Sequence, residues 1–374
     1  MMLKLFSQRY LLKFTITVIA IFWGCSIYAQ QILKPGFDAK EYMSLFLLFT
    51  NGRKKDSVYH INPYENFKKY YQSPEVGLKN QWSLFLRNDN VAAITIRGTV
   101  ADKVSWLANF YAAMIPAQGE LYLSDSNTFK YKLAADKNAT VHVGWTVSLG
   151  SMAPDIVAHV KDLYQKGVKE YYIFGHSQGG AIAFLLRSYL EYLQQDHLLP
   201  EDIWFKTYCS AAPKPGNMYY AYDYEFITRG NWAYAIVNRA DWVPETPYTI
   251  QRMQDMNDPN PLIKTKQLLK KQKFAIRTIG GILYGKINRK PRKAQALLTN
   301  YLGKKMYKLA VHKAMPGLKE PAYAPSSNYM RAGQPIILMP DADYNKQFIY
   351  NGKDDFIHHH FEPYYYLMGK EYLQ

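Results

Sequence analysis

Tyr171-Tyr172-Ile173-Phe174-Gly175-His176-Ser177-Gln178-Gly179-Gly180-Ala181 is the stretch whose reading decides the fold. Tyr171 to Phe174 is a run of aromatic and branched residues, the pattern of a buried strand. From Ala181 to Leu193 the apolar residues recur at helical spacing. Between them, Gly-x-Ser-x-Gly must turn a strand directly into a helix. Such a turn is tight and strained, and it projects the serine hydroxyl above the sheet. Gly175 and Gly179 stand where side chains would meet the neighbouring strand and helix. The amide of Gln178, at the helix N-terminus, can point at a developing oxyanion. A chain of this length produces the bare pattern by chance about 0.1 times. Its strand–turn–helix setting therefore makes Ser177 a candidate nucleophile.

The flanking sequence repeats the alternation. Trp82–Leu86 and Val91–Ile96 read as strands around the turn Asn88-Asp89-Asn90. Trp204–Cys209, Trp232–Val237 and Gln334–Met339 read as further buried strands. Phe37–Phe49 has helical spacing with Asp38 as its N-cap, and Met152–Gly167 reads as a helix ended by the glycine. Strands alternating with helices predict an α/β fold with a mainly parallel central sheet and helices on both faces. The chain has 374 residues, 48% of them hydrophobic, enough for one large core. No period of 20–50 residues recurs, which excludes a solenoid.

A serine hydroxyl needs a base to take its proton and an acid to orient that base. In the expected chain order the acid comes next and the histidine last. Asp241 follows the strand Trp232–Val237, and Pro244 stops any helix there. Position alone leaves Asp223 and Glu245 open as alternatives. For the base, Phe356-Ile357-His358-His359-His360-Phe361-Glu362-Pro363-Tyr364 lies before a final helix to about Tyr372, with Pro363 in its first turn. Three consecutive histidines on an extended segment would point to alternating faces, an awkward metal site. His142 reads as a structural residue packing near the elbow, and His176, within the elbow, as one that packs or hydrogen-bonds behind the site.

Five segments, in order, resemble the class 3, or fungal-type, lipase family of the α/β-hydrolase superfamily. They are Ile96-Arg97-Gly98-Thr99, Val141-His142-Val143-Gly144-Trp145, the elbow Gly175–Gly180, Ala211-Ala212-Pro213-Lys214-Pro215-Gly216-Asn217 and Val237–Pro247. The resemblance covers about Trp82 to Tyr248. It implies an α/β-hydrolase cleaving carboxylic esters, of lipid above all, through an acyl-enzyme and without a cofactor. It implies Asp241 as the acid, and Thr99 as an oxyanion donor beside the amide of Gln178. Members carry an aromatic residue four or five places after the base. Tyr364 and Tyr365 satisfy this for His360, the favoured base, and Tyr364 also does for His359. Phospholipase A1, thioesterase and acyltransferase activities would use the same groups; a catalytically silent envelope-binding protein would need none of them. Ala101–Tyr111, with Trp106-Leu107-Ala108, occupies the place of the family's lid helix.

Lys4, Arg9 and Lys13 precede the apolar run Phe14–Trp23, and Ala29 offers a cleavage point. Residues 1–29 thus read as a signal peptide, with 30–374 as the mature domain and a secreted or envelope location. Cys25 offers a less favoured lipoprotein anchor. The second cysteine, Cys209, would then stand alone. Between Pro261 and Lys319 there are sixteen Lys or Arg and no Asp or Glu, equal to the net +16 of the whole chain. Apolar residues recur through the same stretch. Two or three basic amphipathic helices are expected, inserted at about 255–325 between the acid and the base. Such a block suits an anionic membrane surface. Nucleic acid is not expected for a chain exported from the cytoplasm.

Overall fold

The computed structural model describes residues 31–50, 61–62 and 66–373. The signal-peptide reading of residues 1–29, Cys25 included, lies outside them. Of the two units of the chain, Met1–Lys34 and Pro35–Gln374, the second carries every element discussed below.

Seven strands build the central sheet: β1 (Phe67–Gln72), β2 (Trp82–Arg87), β3 (Val91–Ile96), β4 (Glu170–His176), β5 (Trp204–Ser210), β6 (Ala233–Asn238) and β7 (Gln334–Leu338). Their order in space is their order in the chain. β1, β2 and β3 pair antiparallel, and the four remaining pairings, from β3 to β7, are parallel. The parallel strands read as near-continuous apolar runs because both faces are covered. All six residues of β3 and of β6 are buried.

The helices are α1 (Ala39–Phe49), α2 (Lys103–Phe110), α3 (Val143–Gln165), α4 (Gln178–Gln195), α5 (Met218–Ile227), α6 (Thr265–Lys270), α7 (Phe274–Thr299), α8 (Ala342–Gln347) and α9 (Phe361–Tyr372). α1 begins where Asp38 accepts the amides of Lys40 and Glu41 at 2.8 and 3.1 Å. It packs on β3, β4 and α9, while α4 packs on β4, β5 and α3. α3 starts earlier than the sequence suggests, at Val143 instead of Met152. Gly144, Gly150 and Pro154 obscure its helical pattern. Gly144 is nonetheless required, since a Cβ there would lie 2.1 Å from the carbonyl oxygen of Ala108. That contact seats α2 on α3.

The crossover from β6 to β7 holds the basic segment. It contains α6 and the 26-residue α7, which continues into π-helical turns over Asn300–Lys305 and Tyr307–Val311. Two helices, α6 and α7, lie where two or three were expected.

Parallel strands bring their C-terminal ends to one edge of the sheet. Arg97–Thr99 leaves β3 there, Ser177 leaves β4, and Asp241 follows β6. β7 leads on to the loop of the three histidines. Open α/β sheets form their sites at this edge.

The turn from β4 into α4 tolerates no extra atom. A Cβ at Gly179 would lie 2.1 Å from the oxygen of Ile96, and one at Gly175 would lie 2.2 Å from the oxygen of Gly179. Both obstacles are backbone, so they cannot swing away. Gly179→Ala should cost about 3 kcal/mol by forcing β3 and α4 apart. A urea unfolding series reads this directly, and an unchanged midpoint would contradict the close approach.

Candidate active site

Ser177 sits at φ 60° and ψ −129°, a conformation that a non-glycine residue adopts only under constraint. The constraint is visible on three sides. Its amide donates to the oxygen of Ser210 at 2.9 Å, its carbonyl begins the α4 ladder, and Gly98 abuts it. Its side chain has no hydrogen-bond partner among the described residues and is half-exposed. Gln178 opens α4, so its backbone amide is one that the helix leaves unpaired.

The loop before α9 resolves the three histidines. Residues 355–359 form a turn, so successive side chains rotate to different directions instead of alternating. His358 Nδ1 meets the hydroxyl of Tyr344 at 2.9 Å. His359 Nδ1 donates to Asp241 Oδ2 at 2.7 Å. His360, half-exposed, meets Asp354 Oδ2 at 2.8 Å through Nε2. The preference for His360 is therefore corrected: the histidine held by Asp241 is His359. The aromatic spacing used to choose between them fits His359 as well, because Tyr364 lies five places on.

Asp241 is buried, and each of its oxygens is satisfied. Oδ1 accepts the amide of Val243 at 2.9 Å. Oδ2 accepts the hydroxyl of Tyr364 at 2.8 Å beside His359. Three donors thus meet this one buried carboxylate. Asp223, an alternative acid, instead accepts from Ala135 N and from the Tyr192 hydroxyl at 2.7 and 2.6 Å. With Nδ1–H of His359 committed to Asp241, Nε2 is the ring nitrogen left to accept.

Two backbone bonds fix the loop that carries His359. Asn238 Nδ2 donates to the oxygen of His358 at 3.0 Å, and His176 Nε2 donates to the oxygen of His359 at 2.9 Å. Since that nitrogen of His176 is the donor, its Nδ1 accepts from Ser210 Oγ at 3.0 Å. Ser210 in turn accepts from Tyr42 at 2.7 Å. Of the two roles expected of His176, packing or hydrogen bonding, it takes the polar one, between Ser210 and the loop of His359.

Thr99 follows β3 and is half-buried. Asn109, on α2, donates its Nδ2 to Thr99 Oγ1 at 2.9 Å. Asn109 Oδ1 is itself held by Trp145 Nε1 and Gln178 Nε2, both at 3.0 Å. Because Thr99 Oγ1 accepts from Asn109, its own hydroxyl proton remains free to donate elsewhere. Asn109 was not singled out from sequence, where an Asn within an apolar helix carries no distinguishing pattern. Above the loop lies an aromatic group. The Trp106 ring is 5.9 Å from Phe110 and 5.9 Å from Phe356, while Phe356 is 5.2 Å from Trp242 and 5.9 Å from His359. A serine, an imidazole with a free acceptor and a carboxylate behind it, beside two possible oxyanion donors, suit acyl transfer.

Residues 93–251 match the family model described as lipase (class 3). No curated protein matches the chain. Among solved structures it is similar to the native Rhizomucor miehei lipase propeptide complex, at 20% identity and a TM-score of 0.40, over 57% of this chain and 65% of that one. The chain thus spans just under two thirds of that lipase's length. A Rhizopus microsporus var. chinensis lipase gives 19% identity and a TM-score of 0.38, over 57% and 71% of the two chains. A triacylglycerol lipase from Penicillium expansum gives 16% and 0.38, over 56% and 74%. The family match, and not these distant likenesses, carries weight.

Burial keeps two histidines neutral. It pushes His142 down to about 3, and it holds His176 well below the usual range, with the neighbouring His359 adding to the effect. In the unfolded chain both protonate near 6.5. Their depressed native values mean that the unfolded state gains protons first as pH falls. Their contribution to stability is complete above pH 6.5 and is lost progressively as pH drops below it, by at most about 1.4 kcal/mol per unit for each group. Ring resonances of both should therefore stay at the neutral position from pH 8 to pH 5 in an NMR titration. A midpoint near 6.5 for either would contradict its burial.

Proposed function

We propose that this chain, placed among the class 3 lipases and their carboxylic ester hydrolases by residues 93–251, cleaves lipid esters with Ser177, His359 and Asp241. The observation that carries the reading is the 2.7 Å bond from His359 to the buried Asp241 on the sheet edge that presents Ser177. Ser177 Oγ attacks the ester carbonyl carbon as His359 Nε2 takes its proton. The carbonyl π electrons move onto oxygen. Thr99 and the amide of Gln178 receive that oxyanion. The carbonyl re-forms, the alcohol departs with the proton from His359, and an acyl-Ser177 remains. Water then repeats the sequence, releasing the acid and restoring the serine. Asp241 holds the imidazolium throughout, and Asn109 holds the Thr99 oxygen in place.

The aromatic group of Trp106, Phe110, Phe356 and Trp242 favours an apolar acyl chain over a polar one. α2, which carries Trp106, is proposed as a movable cover. Residues 1–29 are proposed as the signal that exports the enzyme, and no helix of the described residues is long and apolar enough to cross a membrane. Residues 261–319 are proposed to face an anionic membrane.

A fluorophosphonate probe should label Ser177, and Ser177→Ala should abolish labelling. Ser177→Ala and His359→Asn should each lower turnover of a short-chain nitrophenyl ester by about a thousandfold or more. His360→Asn should retain most activity, since its ring is turned to Asp354. The reverse ranking of the two histidine variants would overturn the assignment.

A further inference from the structure

The outward face of α7 breaks the rule by which soluble helices are built. Across its 26 residues only Tyr284 and Gln295 are buried. A surface helix ordinarily turns its apolar stripe inward. Here Ile276, Ile279, Leu283 and Ile287, at spacings of three, four and four, form one ridge, and they are 54%, 60%, 55% and 61% exposed. Phe274, at the start of the helix, is 74% exposed.

The charges around the ridge say what covers it. All sixteen cations between Lys264 and Lys319 are exposed, and none is paired with an acid of the described residues. Lys270, Lys271, Lys273 and Arg277 flank the start of the helix, and Lys286, Arg289, Lys290, Arg292 and Lys293 follow along it. Outside the segment the 30 remaining cations are balanced by 30 acids. The rest of the chain therefore has no net charge with which a second copy could neutralise this face, and two such faces would repel. A polyanion such as nucleic acid would neutralise the cations but leave the isoleucines in water. An anionic bilayer meets both demands, with headgroups for the lysines and acyl chains for the ridge.

We propose that α7 lies flat on an anionic bilayer and inserts the ridge of Ile276, Ile279, Leu283 and Ile287 below its headgroups. This rests on the membrane-facing reading of residues 261–319 and adds to it an insertion mode with named side chains. α7 is continuous with the π turns, which reach the cover of the site. The Tyr307 ring lies 6.4 Å from that of Tyr111, just past α2, and the amide of Ala113 donates to Leu302 at 3.3 Å. Docking through α7 thus sets α2 near the same surface.

The test is co-sedimentation of the full chain carrying Ser177→Ala, with vesicles of phosphatidylglycerol and phosphatidylcholine or of phosphatidylcholine alone. Using the inactive chain separates binding from turnover, so failure of either reading leaves the other legible. Binding should favour the anionic vesicles and weaken with salt. Joint replacement of Lys270, Lys271, Lys273 and Arg277 by Gln should weaken it at least about tenfold. Replacing Ile276, Ile279, Leu283 and Ile287 by Ser should weaken it by a similar factor while sparing the attraction to a soluble polyanion. In the Ser177 background neither set should alter short-ester turnover, which verifies folding. Equal binding to both vesicle types, or no binding, would overturn the membrane reading. Wild-type binding by the isoleucine variant would overturn insertion, and loss of binding only in competition with DNA would assign the face to a polyanion.

Discussion

The structure depends on how closely α4 approaches the strands beneath it. Ser177 holds a left-handed conformation because β4 runs straight into a helix over two neighbouring strands. The absence of side chains at Gly175 and Gly179 is what admits the carbonyls of Gly179 and Ile96. The same approach brings the end of β3 against the elbow, where Gly98 abuts Ser177 and Thr99 follows it. It also presents the first amide of α4 to the space above the serine. The proposed nucleophile and the amide of Gln178 thus depend on one steric fact, and the strain at Ser177 is maintained by the packing around it.

The remaining groups are aimed by hydrogen bonds to the backbone. His359 would not face Asp241 unless its loop were held, and it is held by Asn238 at one carbonyl and His176 at the next. Burial keeps His176 neutral, so that Nε2–H donates to that carbonyl while Nδ1 still accepts from Ser210. Asp241 is likewise fixed, by Val243 at Oδ1 and by Tyr364 at Oδ2, the oxygen that meets the imidazole. Asn238, His176, Ser210 and Tyr364 are each held by a partner, so loosening one member exposes a buried donor or acceptor elsewhere.

What was legible in the sequence follows from this division. The elbow is a local steric problem with a local solution, and Gly-x-Ser-x-Gly between a strand and a helix records it. The parallel sheet was legible because buried strands are apolar throughout. Asp241 needed a family resemblance, since position alone did not separate it from Asp223. The histidine was not legible. Adjacent residues in an extended chain and in a turn point in different directions, and nothing in three identical neighbours says which backbone applies. Asn109 was hidden for a similar reason: its value lies in three partners, Thr99, Trp145 and Gln178, brought together only by the packing of α2 on α3.

The basic segment poses the opposite case, a pattern plain in sequence whose orientation was not. Amphipathic spacing tells that a helix has an apolar face, but not whether that face points in or out. Inward packing would have buried four aliphatic side chains, worth about 1.5–3 kcal/mol each. The fold leaves that stabilisation unused and crowds unpaired cations around the ridge. Both choices cost stability in water, and both turn favourable at a negatively charged apolar boundary. A protein core cannot accept so many cations, and bulk water does not reward exposed isoleucine. The two features together fit the proposed partner, which has charge outside and hydrocarbon within.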